Sequence, residues 1–167
     1  MSKKNKSKIK KTLVEQILDK HKIPYEQMVF ETYQDGDVAQ LNIQKHAEQD
    51  QHLIYKTLAL IGDKTGPLVG VLPIDEHLSY KKLAKASGNK KVGMVPLKDL
   101  VKTTGYEHGA NTPIGIWEKH KYPIYLDTEA NEADTIMVSS GQIGRSVKLN
   151  PHDLINLVQG TIVDLKE

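Results

Sequence analysis

The chain has no cysteine. That excludes a disulfide-stapled scaffold, a cysteine-ligated zinc and a cysteine nucleophile, and it is compatible with a reducing compartment. Long apolar runs are also missing: no stretch approaches the roughly 18 residues that a membrane helix needs. The lysine-rich start lacks the apolar core of a secretory signal, because Leu13-Val14 runs straight into Glu15-Gln16. A cytoplasmic protein with no membrane contact is expected. Repeats, linkers and low-complexity segments are absent apart from the first residues, so 167 residues read as one domain with a real core.

What is present begins with charge. The net charge of +2 hides an asymmetry. Lys3, Lys4, Lys6, Lys8, Lys10 and Lys11 precede residue 12 with no acid among them; taking these six from 23 basic residues leaves 17 against 21 acidic ones. The expected organisation is a basic, disordered arm over 1–11 and a slightly acidic folded body over 12–167. The arm fits a segment trailing along a phosphate backbone, with salt-sensitive contacts, and equally a solvated tail.

Local signals mark the elements. Thr12 to Glu15 has capping-box spacing, and Leu13, Val14, Ile17 and Leu18 share one face of a helix ending before Pro24. Met28 to Tyr33 reads as a strand, Asp35-Gly36 as a turn, and Asp37 as the cap of a short helix carrying Val38, Leu41 and Ala47. "HLIYKTLALIG" and "GPLVGVLPI" pair across a turn at Gly62-Asp63-Lys64. Ser79 caps "YKKLAKAS", which Gly88 ends. "KKVGMV" is a strand, and Pro96 opens the helix "PLKDLVKTT", stopped by Gly105. "YPIYLD" and "TIMVSSG" are strands, "GQIG" is a turn into "RSVKL", Asn150-Pro151 starts the helix "PHDLINLV", Gly160 ends it, and "TIVDL" closes the chain. Strands and helices do not alternate regularly. The expected class is α+β, with a curved or barrel-like mixed β-sheet and peripheral short helices.

Two features point to chemistry. In "HLIYKTLALIG", Leu53, Tyr55, Thr57, Ala59 and Ile61 share one face; Ile54, Lys56, Leu58 and Leu60 share the other. Both faces are mainly apolar, so the strand is central. The Lys56 ammonium there must be paired, reach a cleft, or snorkel to water from a strand end. "GYEHGANTPIG" holds three glycines and a proline in eleven positions. It is a long turn or a loop whose main-chain N–H groups line a pocket.

"YKTLAL", "TTGYEHGANTPIG" and "SSGQIGRSVKLNPHDL", in that order, resemble the YbaK/EbsC family, relatives of the editing domain inserted in bacterial prolyl-tRNA synthetases. The resemblance runs from Thr12 to Leu165. It implies an enzyme that deacylates mischarged aminoacyl-tRNA in trans, typically Cys-tRNA(Pro), with no metal and no cofactor. Its partners would be the aminoacyl-tRNA acceptor end and prolyl-tRNA synthetase. By the resemblance, Lys56 corresponds to the lysine that holds the tRNA 3′ end near the scissile ester, and Thr57 to its neighbour. Gly109 and Pro113 correspond to loop positions that shape the aminoacyl pocket, Tyr33 to a lining aromatic, and Asp153 to a further pocket position. Gly105, Tyr106 and Gly115 of the same loop, and Ser140 and Gly141 of the "SSG" turn, complete the expected substrate-binding set. Tyr106 would stack on the terminal adenine or pack under its own loop. Two departures stand out: Gly109-Ala110 replaces a glycine pair, and "DVAQLNIQKHAEQ" offers no second pocket aromatic.

The ester is already activated, so main-chain donors for the oxyanion and one positioned cation suffice. The resemblance implies attack by the substrate's own thiol, assisted by the tRNA ribose hydroxyl. A serine hydrolase using Ser139 or Ser140 would lack the G-x-S-x-G elbow. Metal binding would need His46 with His52, or His108 with His120, neither pair at i, i+4 spacing. A non-catalytic module binding the tRNA acceptor end or a synthetase is the alternative of a different class.

Overall fold

The computed structural model describes residues 10–30, 32–35, 38–41 and 52–167, with the backbone alone for 32–35 and 38–41. The first helix, α1 (Leu13–Lys20), starts where the capping box places it. Thr12 Oγ1 accepts from the Glu15 N–H at 3.1 Å, and Glu15 Oε1 accepts from the Thr12 N–H at 2.9 Å. Val14, Ile17 and Leu18 are buried, whereas Leu13 is 60% exposed. Glu15 is fully buried and paired with Arg145 at 3.2 Å.

A three-stranded antiparallel sheet has β9 (Arg145–Leu149) between β1 (Tyr25–Val29) and β8 (Ile136–Ser139). A five-stranded mixed sheet runs β10 (Thr161–Ile162), β7 (Ile124–Leu126), β5 (Gly66–Pro73), β4 (Tyr55–Gly62), β6 (Val92–Met94). Strand β4 is flanked on both sides, as its two apolar faces required. Its hairpin with β5 sets Lys56 opposite Leu72 and Thr57 opposite Val71. The two sheets meet where Ile54 bridges Met137 and the Met137 N–H donates to the Leu53 carbonyl at 2.8 Å. The result is a curved sheet surface that does not close into a barrel.

The β4–β5 turn explains one glycine. Asn89 Oδ1 accepts from the N–H groups of Lys64 and Thr65, and a Cβ on Gly62 would collide with the Asn89 carboxamide. The main core joins α1, the sheets, α4 (Pro113–His120) and α6 (Pro151–Val158) through Leu18, Val69, Ile116, Val138 and Leu154. A smaller cluster of Leu60, Leu68, Leu72, Leu78, Leu83 and Leu165 packs beneath α2 (Tyr80–Ser87). Ala59, Val95 and Leu100 form a third, behind the site described below.

Several expected elements differ. Instead of a helix capped by Asp37, Val38–Leu41 is strand β3, antiparallel to β2 (Thr32–Asp35) in a separate hairpin. Pairing across Gly36-Asp37 prevails over a weak helical spacing whose Ala47 lies outside the described residues. The strand read as Met28 to Tyr33 breaks at buried Phe30, where β1 leaves one sheet and β2 enters another. "PLKDLVKTT" splits into a 3₁₀ turn (Leu97–Asp99) and α3 (Leu100–Thr104). The end of the glycine-rich loop is not loop at all: Pro113 is the first residue of α4, capped by Thr112 Oγ1 accepting from the Gly115 N–H. A short α5 (Thr128–Glu132), capped by Asp127, had no counterpart in the sequence reading. Helix α6 begins at Asn150 as expected, but its left-handed terminal residue is Gln159, at φ 53°, not Gly160. Of the basic arm, residues 1–9 lie outside the described residues. No described helix is long and apolar enough to cross a membrane.

Candidate active site

A cavity of about 510 Å³ opens where the start of β4 faces the glycine-rich loop. Its floor is apolar, with Ile54, Leu58, Ala59, Ile74, Val95 and Leu100. Lys56 and Thr57 of β4, His108, Gly109 and Asn111 of the loop, and Ser139, Arg145 and Ser146 supply the rest of its lining.

The strand position explains the state of Lys56. Its Nζ donates to the Glu76 carbonyl at 2.6 Å. Burial pulls its pKa below the usual lysine value, opposed by the charges of Asp75 and Glu76. It has no carboxylate within ion-pair distance among the described residues, so this partly desolvated cation is available to an anionic ligand.

The glycine-rich loop is shaped by its main chain. Gly105 ends α3 at φ 87°, and Gly109 turns the loop at φ 89°. The Ala110 N–H donates to the Glu107 carbonyl at 2.9 Å, and the Ala110 carbonyl accepts from Ser139 Oγ at 3.2 Å. The N–H groups of His108, Gly109 and Asn111 donate to no protein acceptor among the described residues. Thr57 Oγ1 and Asn111 Oδ1 are buried without a hydrogen-bond partner. Two such orphans in the lining of one cavity are expensive unless a bound molecule completes them.

The structure therefore brings Lys56, Thr57 and Gly109 into one cavity. It puts the other expected binding residues elsewhere. Tyr106 is half-buried beneath its loop, its ring against Gly115 and Gly141: a Cβ on Gly115 would collide with the Tyr106 hydroxyl, and one on Gly141 would lie 3.0 Å from the ring. Of the two placements read for Tyr106, packing under the loop is the one observed. Gly115 and Gly141 make room for that ring. Gly105 is exposed beside Lys119, Pro113 is buried at the start of α4, and Ser140 is buried with an unpartnered hydroxyl. Asp153 sits half-buried in the first turn of α6, its N–H on the Asn150 carbonyl. None of these lines the cavity. The Tyr33 side chain lies outside the described residues.

Ser139 Oγ is committed to main chain, donating to Ala110 and accepting from the Gly141 N–H. "GQIG" is a hairpin turn between β8 and β9, with Gly141 at φ 99° and Gly144 at φ 83°. His120 stacks flat on Tyr122 at 4.6 Å, and His46 lies outside the described residues.

The structure is a curved α+β domain with one cavity lined by a strand lysine and a glycine-rich loop. The chain belongs to the aminoacyl-tRNA editing domain family, whose model matches residues 37–157. Within it the chain falls with the YbaK/EbsC deacylases: it is 40% identical, over 93% of both chains, to an Enterococcus faecalis (strain ATCC 700802 / V583) protein named, by inference, Cys-tRNA(Pro)/Cys-tRNA(Cys) deacylase EbsC. The fold matches a crystal structure described, also by inference, as a trans-editing enzyme for prolyl tRNA synthetase. That match has TM-score 0.64 and 22% identity, over 70% of this chain and 72% of the other. It also matches a hypothetical protein, APE2540, at TM-score 0.76 and 16% identity, over 92% and 99% of the two chains.

Proposed function

We propose that this aminoacyl-tRNA deacylase acts in trans on mischarged tRNA, with Cys-tRNA(Pro) as its principal substrate, and that Lys56 and the Gly109 loop carry the reaction. The observation that carries the reading is the shared cavity: Lys56, a partly desolvated ammonium, and Gly109 of the glycine-rich loop both line it. The Lys56 ammonium holds the terminal phosphate of the 3′ end and so positions the ester. The N–H groups around Gly109 receive the developing oxyanion. Thr57 and Asn111 offer the remaining polar contacts.

The attacking group comes from the substrate. The cysteinyl sulfur bonds to the ester carbonyl carbon, the carbon–oxygen bond to the ribose breaks, and the tRNA hydroxyl leaves with the thiol proton. Water then opens the cyclic thioester. The catalytic unit is residues 12–167, with the basic arm outside it. Prolyl-tRNA synthetase is the partner that supplies tRNA selectivity, and the site of action is the cytoplasm.

The test is a deacylation panel of cysteinyl-, alanyl-, prolyl- and seryl-tRNA, each on matched and mismatched tRNA. Cys-tRNA(Pro) should be cleared fastest. Tight binding of the acceptor stem with no acyl release from any substrate would mark the chain as a non-catalytic module.

A further inference from the structure

The mouth of the cavity carries a surface that hydrolysis of the ester does not explain. Met94 is 43% exposed, Leu97 62% and Val101 58%. They are three of the seven large apolar side chains exposed among the described residues, and they gather on one segment. Met94 and Leu97 also line the cavity. Leu97 and Val101 are one helical turn apart, and so are Lys98 and Lys102, both exposed. The two pairs form adjacent rows along the 3₁₀ turn and α3. Lys98 and Lys102 are not among the lysines held in ion pairs with described residues, which are Lys11, Lys82 and Lys166.

From this we infer that the ledge of Met94, Leu97 and Val101, edged by Lys98 and Lys102, is where the RNA strand leaves the cavity. The nucleotides next to the aminoacylated end lay their bases on the apolar row and their phosphates along the lysine row. The inference rests on the proposed function for the identity of the cavity's ligand. Two observations select RNA. The ledge is continuous with the cavity that takes the acyl end, through Met94 and Leu97, so it offers a path to a polymer attached to that end. It also sets an apolar row beside two cations that no carboxylate among the described residues holds, which matches base faces and phosphates.

The experiment is a fluorescence-anisotropy titration of an uncharged acceptor microhelix ending in CCA, over a salt series, with the full chain. The variants are Lys98→Gln/Lys102→Gln and Val101→Ser, with folding checked by circular dichroism. The lysine variant should bind roughly tenfold more weakly. Its slope of log affinity against log salt should fall by about 1.4–1.8, two phosphate contacts' worth. Val101→Ser should lose several-fold affinity with an unchanged slope. On Cys-tRNA(Pro), both should raise KM and keep kcat. Wild-type binding of the microhelix by both variants overturns the inference. So does retained microhelix binding with lost affinity for prolyl-tRNA synthetase, which would make the ledge a protein contact. Binding is read without hydrolysis, so an inactive wild type that still shows the microhelix effects would sink the proposed function and leave the ledge standing.

Discussion

Lys56 shows how a residue's cost and its use coincide. Burial disfavours its ammonium, so its folded pKa lies below that of the unfolded chain. The folded state therefore binds fewer protons, and this lysine's penalty is present at neutral pH and relieved as pH rises through the depressed pKa. Lys56→Met should hold or raise the melting temperature while abolishing deacylation, a trade between stability and activity read by thermal denaturation beside an activity assay. With the wild type, KM for aminoacyl-tRNA should begin to rise at a pH below the ordinary lysine range, as the ammonium is lost. A pH profile of KM checks this; a KM constant up to the ordinary lysine value would contradict it. The place of Lys56 in the cavity lining could be anticipated, because a lone cation on an apolar strand is conspicuous. That of Asn111 could not: an asparagine in a polar loop is ordinary, and only the fold buries its carboxamide against the cavity.

Among elements, the glycine-rich loop is held by packing rather than by sequence pattern alone. The Tyr106 ring wedges between Gly115 on α4 and Gly141 in the β8–β9 turn, tying the loop that carries Gly109 to the turn beside Ser139. Gly115→Ala should destabilise by about 1–3 kcal/mol through overpacking. Tyr106→Phe, which removes the colliding hydroxyl, should restore part of that loss, so a urea double-mutant cycle should be non-additive. Additive losses would place the clash elsewhere. Caps at Thr12, Ser79 and Asn150 could be read directly, because each depends on neighbours within four residues. The β2–β3 hairpin and the split between β1 and β2 could not, because both depend on distant pairing partners. The opening of α4 at Pro113 was masked by the loop-like composition around it.

At the scale of the whole molecule, Arg145 joins the amino-terminal segment to the site. Its guanidinium reaches the Lys10 carbonyl at 3.1 Å and the buried Glu15 carboxylate at 3.2 Å, and it lines the cavity. Arg145→Met would strand a fully buried carboxylate whose other side-chain partner is Gln27, at a cost of about 3–5 kcal/mol in urea unfolding. A loss under about 1 kcal/mol would mean that Glu15 takes up a proton or finds water. The α+β class and curved sheet were legible from irregular alternation of elements. The meeting of the two sheets at Ile54 and Met137 was not, since a single bridge leaves no local signal.

The central claim is that a strand lysine and main-chain donors across one cavity suffice for acyl-tRNA hydrolysis. The most direct measurement is the single-turnover rate of Cys-tRNA(Pro) deacylation by the wild type and by Lys56→Ala, with folding verified. A fall of about a hundredfold or more in the variant is the result this account predicts. A Lys56→Ala rate within threefold of wild type would contradict it.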